Sequence, residues 1–170
     1  KKVATTLNIP ENLGEQKKQS FLSNIGLDRP IEILKSMLDV NARCNGGYIE
    51  LPFGYYAFCS QPHKIFNYLD QGSEAACQKW AVNYFEEKAG NLNLDYKKVI
   101  DYHDEVLIES SEDDSDKVGS IMSEAYTLAA YEMWQWHKNN SKWFKGLDLP
   151  SFCIDLSSGY KLGKTYFDVH

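Results

Sequence analysis

Apolar and polar positions along the chain predict helices first, then strands, then one more long helix. Lys1 to Asn8 reads as the end of a helix stopped by Ile9-Pro10, because a residue before proline avoids the α region. A polar helix follows over Glu11 to Asn24, with Phe21 and Leu22 in it and Gly14 weakening the pattern. Pro30 suits the first turn of a third helix running to about Cys44, with Ile31, Leu34, Leu38 and Ala42 at helical spacing and Gly46-Gly47 as its stop. Gly47 to Phe58 reads as a hairpin turning around Pro52 to Gly54. Pro62 opens a helical region from His63 to about Ala89, interrupted near Gln71-Gly72, in which Ala76, Trp80, Tyr84 and Phe85 form a core stripe.

After a polar connection, Gly90 to Lys98, the pattern changes period. Val99 to Tyr102 and Val106 to Ile108 are short runs rich in β-branched and apolar residues on either side of His103-Asp104-Glu105, which predicts strand, acidic turn, strand. Ser110 to Asp116 is an acidic, serine-rich loop and helix start, with carboxylates opposing the positive end of the helix dipole. A helix over about Asp114 to Lys138 packs through Val118, Met122, Ala125, Leu128 and Ala129, with Trp134 and Trp136 near its end. Leu147 to Pro150 leads into an apolar strand, Phe152 to Leu156. The expected fold class is α+β: an antiparallel hairpin sheet covered on one face by long helices.

Composition narrows this picture. A chain of 170 residues with 43% hydrophobic content can bury a core, and one domain is the default. Cys44, Cys59, Cys77 and Cys153 form no C-x-x-C pair, which suggests neither a zinc site nor a disulfide framework and fits a reducing, cytoplasmic setting. No long uncharged apolar run and no signal peptide is present, so no membrane is expected. The net charge of −6, with Arg29 and Arg43 as the arginines, argues against a free-standing nucleic-acid module. A role on DNA then needs a partner carrying positive charge or a locally basic face.

The acidic turn is the candidate for chemistry. Carboxylate oxygens are preferred ligands of magnesium, and a sheet holds them more firmly than a loose loop does. A solvated turn is the other reading of the same residues.

The words around that turn are specific. His103-Asp104-Glu105-Val106, after one strand and before Leu107-Ile108-Glu109, resembles motif C of family A DNA polymerases, the group that includes bacterial DNA polymerase I and many podophage polymerases. Gly47 to Gly54 resembles the family's Gly-[Tyr/Trp]-[Val/Ile]-x-x-x-x-Gly segment, and departs from it in having Tyr55 and Tyr56 where basic residues are usual. Asn67 to Ala76 resembles Asn-x-x-x-Gln-[Gly/Ser]-x-x-Ala, through Asn67, Gln71, Gly72 and Ala75. His63 stands at a position often basic or histidine, while Asp70 and Glu74 depart from the usual apolar or small residues. Gly163 to His170 is similar to the family's terminal Gly-x-x-[Trp/Tyr]-x-x-x-His, and Gly159 to Gly163 is closer to the podophage branch, so the true C-terminus is expected here. Four agreements in the right order span residues 47 to 170.

The resemblance implies two Mg²⁺ ions held between carboxylates of motifs A and C. Asp104 would be the metal ligand, Glu105 a supporting carboxylate, His103 a positioner of the primer-terminal backbone, and His170 a neighbour of the same site. Asn67 and Gln71, with His63, would meet the minor groove of the primer–template, where acceptors sit in nearly the same place for every base pair. Motif A, Asp-x-x-x-x-Glu-Leu-Arg, and motif B, the fingers helix that binds the dNTP, are both missing from the sequence. The expected domains are therefore a helical segment following the fingers, 1–46, and a C-terminal palm with motif C, 47–170. The expected function is part of a DNA-directed DNA polymerase, inactive without a partner polypeptide carrying motifs A and B, fingers and thumb. Such a piece should expose an apolar surface where the rest of the palm belongs. Two other classes stay open: a metal-dependent nuclease recruiting Asp101 and Glu109, and a non-catalytic DNA- or partner-binding module.

Overall fold

The computed structural model describes residues 2–37, 39–40, 47–61, 64–102, 105–141, 145–146, 159–165 and 169. Its elements are α1 (Lys2–Leu7), α2 (Glu11–Asn24), α3 (Asp28–Met37), β1 (Asp39–Val40), β2 (Gly47–Glu50), a 3-10 turn (Pro52–Gly54), β3 (Tyr56–Cys59), α4 (Ile65–Asn91), β4 (Tyr96–Tyr102), β5 (Glu105–Ser110) and α5 (Ser115–Asn140). The class is α+β, with one three-stranded sheet of order β1-β2-β3 and one hairpin, β4-β5. Contacts divide the chain into two units, Lys1–Ile49 with Ala57–Tyr68, and Glu50–Tyr56 with Leu69–His170.

In the first unit α1 ends before Pro10, as expected, and lies against α2 at Gly14. Helix α2 closes through two backbone bonds, Gly26 N–H to the Ser23 carbonyl (3.0 Å) and Leu27 N–H to the Leu22 carbonyl (2.8 Å), with Gly26 at φ 71°. That is the glycine-dependent helix stop in which a left-handed residue turns the chain back on the last carbonyls. The third helix stops at Met37, short of the expected Cys44. Its continuation is instead a strand: Asp39 pairs with Tyr48 and Val40 with Gly47, so sheet bonding takes up the backbone groups that a longer helix would have used. Leu38, Ala42 and Cys44 lie outside the described residues. Tyr48 and Phe58 meet edge to face at 5.3 Å across β2 and β3, while Ile49, Cys59 and Ile65 are buried.

The second unit holds the larger core. Ala81, Val82, Phe85 and Ala89 of α4 recur at the spacing that keeps one helix face inward. Val118, Ile121, Met122, Ala125 and Ala129 of α5 do the same. Tyr96, Val106 and Ile108 of the hairpin pack against both helices, with Phe85 and Tyr96 meeting edge to face at 4.9 Å. Full burial of a side chain such as Phe85 is worth about 2–3 kcal/mol.

Helix α4 runs unbroken through Gln71-Gly72, where an interruption was expected. Gly72 has a packing role: a β-carbon there would stand 2.8 Å from both methyl carbons of buried Leu51. Between β2 and β3 the turn buries Pro52, places Phe53 at φ 61°, ψ 20°, and rests against α5. The start of β4 is tied to the start of α5, since the Asp114 carboxylate accepts a 2.9 Å bond from the Asp95 N–H. The strand expected over Phe152 to Leu156 lies outside the described residues.

Candidate functional site

The β4-β5 hairpin is built around one extra residue. Tyr96 pairs with Ser110, Lys97 with Glu109 and Lys98 with Ile108; then Val99 is skipped, and Ile100 pairs with Leu107, Asp101 with Val106 and Tyr102 with Glu105. Directly opposed residues of an antiparallel pair share a face. Val106 and Ile108 pack on the helices, so Lys98 and Asp101 stand on the helix side. Ile100, Leu107, Tyr102 and Glu105 stand on the other. The bulge at Val99 thus reverses the alternation within β4, which is how such an insertion re-aims a side chain.

On the helix side Asp101 meets Gln78 of α4. Gln78 is 7% exposed, and its Nε2 donates 2.6 Å to Asp101 Oδ1 and 3.4 Å to the Glu105 carbonyl. The same amide thus reaches both strands beside the turn. Lys98 adds a looser contact, 3.9 Å to Asp101 Oδ2 and 3.4 Å to Glu86 of α4.

On the outer face Ile100 and Tyr102 are exposed, as is Val99 at the bulge. Half-buried Glu105 also belongs to this face. His103 and Asp104, between Tyr102 and Glu105 in sequence, lie outside the described residues, as do His63 and His170.

Asn67 and Gln71 are both exposed and lie one turn apart in α4. Tyr55 and Tyr56 are exposed too, and Lys79 Nζ stands 5.7 Å from the Tyr55 ring centroid. Lys79 of α4 thus sets a cation beside the Tyr55 ring. Neither Gln78 nor Lys79 was singled out from sequence. The signal for Gln78 was its place seven residues after Gln71, which returns to the same helix face.

Among the described residues no three His, Cys, Asp or Glu side chains converge to hold a metal ion. Asp101 is turned away from Glu105, and Glu109, though on the same face, lies four residues along the strand, about 13 Å away. Glu105 can offer the hard oxygen donor that Mg²⁺ favours, but the described carboxylates make at most part of a coordination sphere.

No protein-family model matches the chain, and no curated protein matches it in sequence. A solved structure does match. The chain is similar to the POL domain of Pol1 from M. smegmatis in complex with DNA primer-template and dNTP, with a TM-score of 0.59 and 21% sequence identity. The match covers 74% of this chain and 24% of that one, so the chain spans about a quarter of the POL chain's length. At that identity the likeness is one of fold. None of the described helices is long and apolar enough to cross a membrane.

Proposed function

We propose that this chain is the C-terminal palm portion of a family A DNA-directed DNA polymerase, with residues 1–46 as the helical segment after the fingers and 47–170 as the palm. The observation that carries this reading is a coincidence of two independent signals. His103 and Asp104 of the motif C words lie in sequence between Tyr102 and Glu105, the last pair of the β4-β5 ladder, in a chain whose fold resembles part of a POL domain.

In this reading Asp104 and Glu105 supply oxygen donors for Mg²⁺, and the remaining ligands come from a polypeptide carrying motifs A and B. When bound, the two ions activate the primer 3′-hydroxyl and neutralise the leaving pyrophosphate. His103 orients the primer-terminal backbone, and His170 lies near it. Gln71 and Asn67 donate to minor-groove acceptors without reading sequence, with His63 beside them. The partner also supplies most of the basic DNA-binding surface, which accounts for the −6 charge of this chain. The outward apolar residues Ile100 and Tyr102 support a missing neighbour on that side.

The nuclease reading is weaker on the geometry, because the acids it would recruit do not converge: Asp101 faces the helices and Glu109 is remote. Primer extension with Mg²⁺ tests the proposal, using this chain alone, the chain mixed with a polypeptide bearing motifs A and B, and that mixture with Asp104→Ala. Extension in the wild-type mixture alone supports it. Equal extension with Asp104→Ala, or DNA hydrolysis by this chain unaided, overturns it.

A further inference from the structure

We infer that Gln78 is a positioning residue that holds the two strands flanking the motif C words against α4, acting through Asp101 and the Glu105 carbonyl. The inference rests on the polymerase reading above. Gln78 and Gln71 are seven residues apart, two helical turns, and so share a face of α4 about 10 Å apart along its axis. One end of this stripe bears the amide assigned to the primer–template; the other end holds both strands of the turn assigned to the chemistry.

Two features make the tether more than an incidental contact. First, the Gln78 amide is nearly buried, and a buried N–H left without an acceptor costs more than the bond itself returns, so its two acceptors fix the side chain. Second, the acceptor on Asp101 is a carboxylate at 2.6 Å, a charge-assisted bond of the stronger kind. In this sequence the bulge at Val99 lets Asp101 stand opposite Val106 on the helix side, where that bond forms. Two residues separate Asp101 from Asp104, and Glu105 follows directly, so the tether holds the chain on either side of Asp104 in sequence.

The test measures amide hydrogen exchange on the chain as it stands and primer extension in the complementing mixture, for Gln78→Met, Gln78→Glu, Asp101→Asn, Asp104→Ala and the double variant Gln78→Glu/Asp101→Asn. Gln78→Met keeps the length of the side chain without its N–H groups. It should speed exchange over residues 100–107 by about tenfold or more while leaving the α4 and α5 core amides unchanged. In the mixture it should lower kcat per titrated active site by ~10–100-fold, with the KM for dNTP within about twofold of wild type. A merely structural role would reduce the fraction of active sites and leave kcat per site intact. The double variant reverses the polarity of the bond, Asn donating to Glu, and should recover both readouts relative to Gln78→Glu alone.

Unchanged exchange over 100–107 in Gln78→Met overturns the inference whatever the mixture does. So does wild-type kcat per site in Gln78→Met when Asp104→Ala abolishes extension; that result leaves the polymerase reading standing. Extension that survives Asp104→Ala, or fails in every mixture, overturns the polymerase reading and the positioning role with it, and an exchange response then reports a structural tether alone.

Discussion

Gly14 of α2 rests directly on Ala4 of α1: a β-carbon at position 14 would stand 2.7 Å from the Ala4 β-carbon and 2.9 Å from its α-carbon and nitrogen. Two of those three atoms are backbone, so the contact cannot be relieved by turning a side chain. Gly14→Ala gains about 1 kcal/mol of helix propensity and meets an overpacking cost of ~1–3 kcal/mol. A net loss is expected, seen as a lower urea midpoint and faster amide exchange in α1. A variant more stable than wild type would mean that α1 is not seated on Gly14.

Phe53 holds φ 61° in the turn before β3 and stacks on Trp80, with ring centroids 6.2 Å apart, and Trp80 in turn stacks on Tyr84 at 5.6 Å. Removing the ring costs packing in either of two variants, but Phe53→Gly also relieves the left-handed backbone while Phe53→Ala retains it. Phe53→Ala should be the less stable by about 1 kcal/mol. Equal melting of the two would show that the turn relaxes away from positive φ.

His137 is buried near the end of α5, and burial pushes its pKa down, with Glu50 opposing the shift in part. The unfolded chain therefore binds a proton more readily than the folded one. This contribution to stability is fully present above the ordinary histidine value of 6.5 and falls as pH drops through it toward the depressed folded value. Melting curves between about pH 5 and pH 8 should show this slope in wild type and lose it in His137→Gln.

On the surface, Lys88 Nζ donates 2.7 and 2.6 Å to the two oxygens of Glu124, and the Tyr84 hydroxyl donates 3.0 Å to one of them. The Lys88 bond, then the Tyr84 bond, hold the Glu124 carboxyl below the usual range. Its small contribution is present above the ordinary carboxylate pKa and is lost as pH falls through the lowered value. Both groups are exposed to solvent, so the melting difference between wild type and Glu124→Gln should vanish in about 1 M salt, where screening acts within ~3 Å.

Much of the fold was legible in the sequence. Helix α2 has the bounds that periodicity and Pro10 set, Glu11–Asn24, and the first hairpin turns at Pro52–Gly54 as the pattern requires. Of the stripe expected on α4, Ala76 and Phe85 are buried and Trp80 and Tyr84 half-buried; of the face expected on α5, Val118, Met122, Ala125 and Ala129 are buried and Leu128 half-buried. The misreadings share a cause. Gly14 and Gly72 were weighed as helix weakeners, whereas each gives room for a close neighbour, Ala4 or Leu51, that no local propensity encodes. Strand β4 begins at Tyr96, inside what read as a polar connection, because Lys97 and Lys98 hide the alternation.

At the candidate site the sequence pointed to residues around the turn but not to what steadies it. Strict alternation from Tyr96 would turn Ile100 and Tyr102 toward the helices and Asp101 away. The bulge inverts that without a glycine to announce it, and the Gln78 contact follows from the inversion.

The skipped residue also separates strand length from face assignment. Were Val99 deleted, the ladder could close with Lys98 next to Ile100, and Asp101 would still stand opposite Val106 within reach of Gln78. Homologues one residue shorter here could keep the same tether, so a register built on matching residue numbers along β4 would misplace it, whereas one anchored on β5 would not.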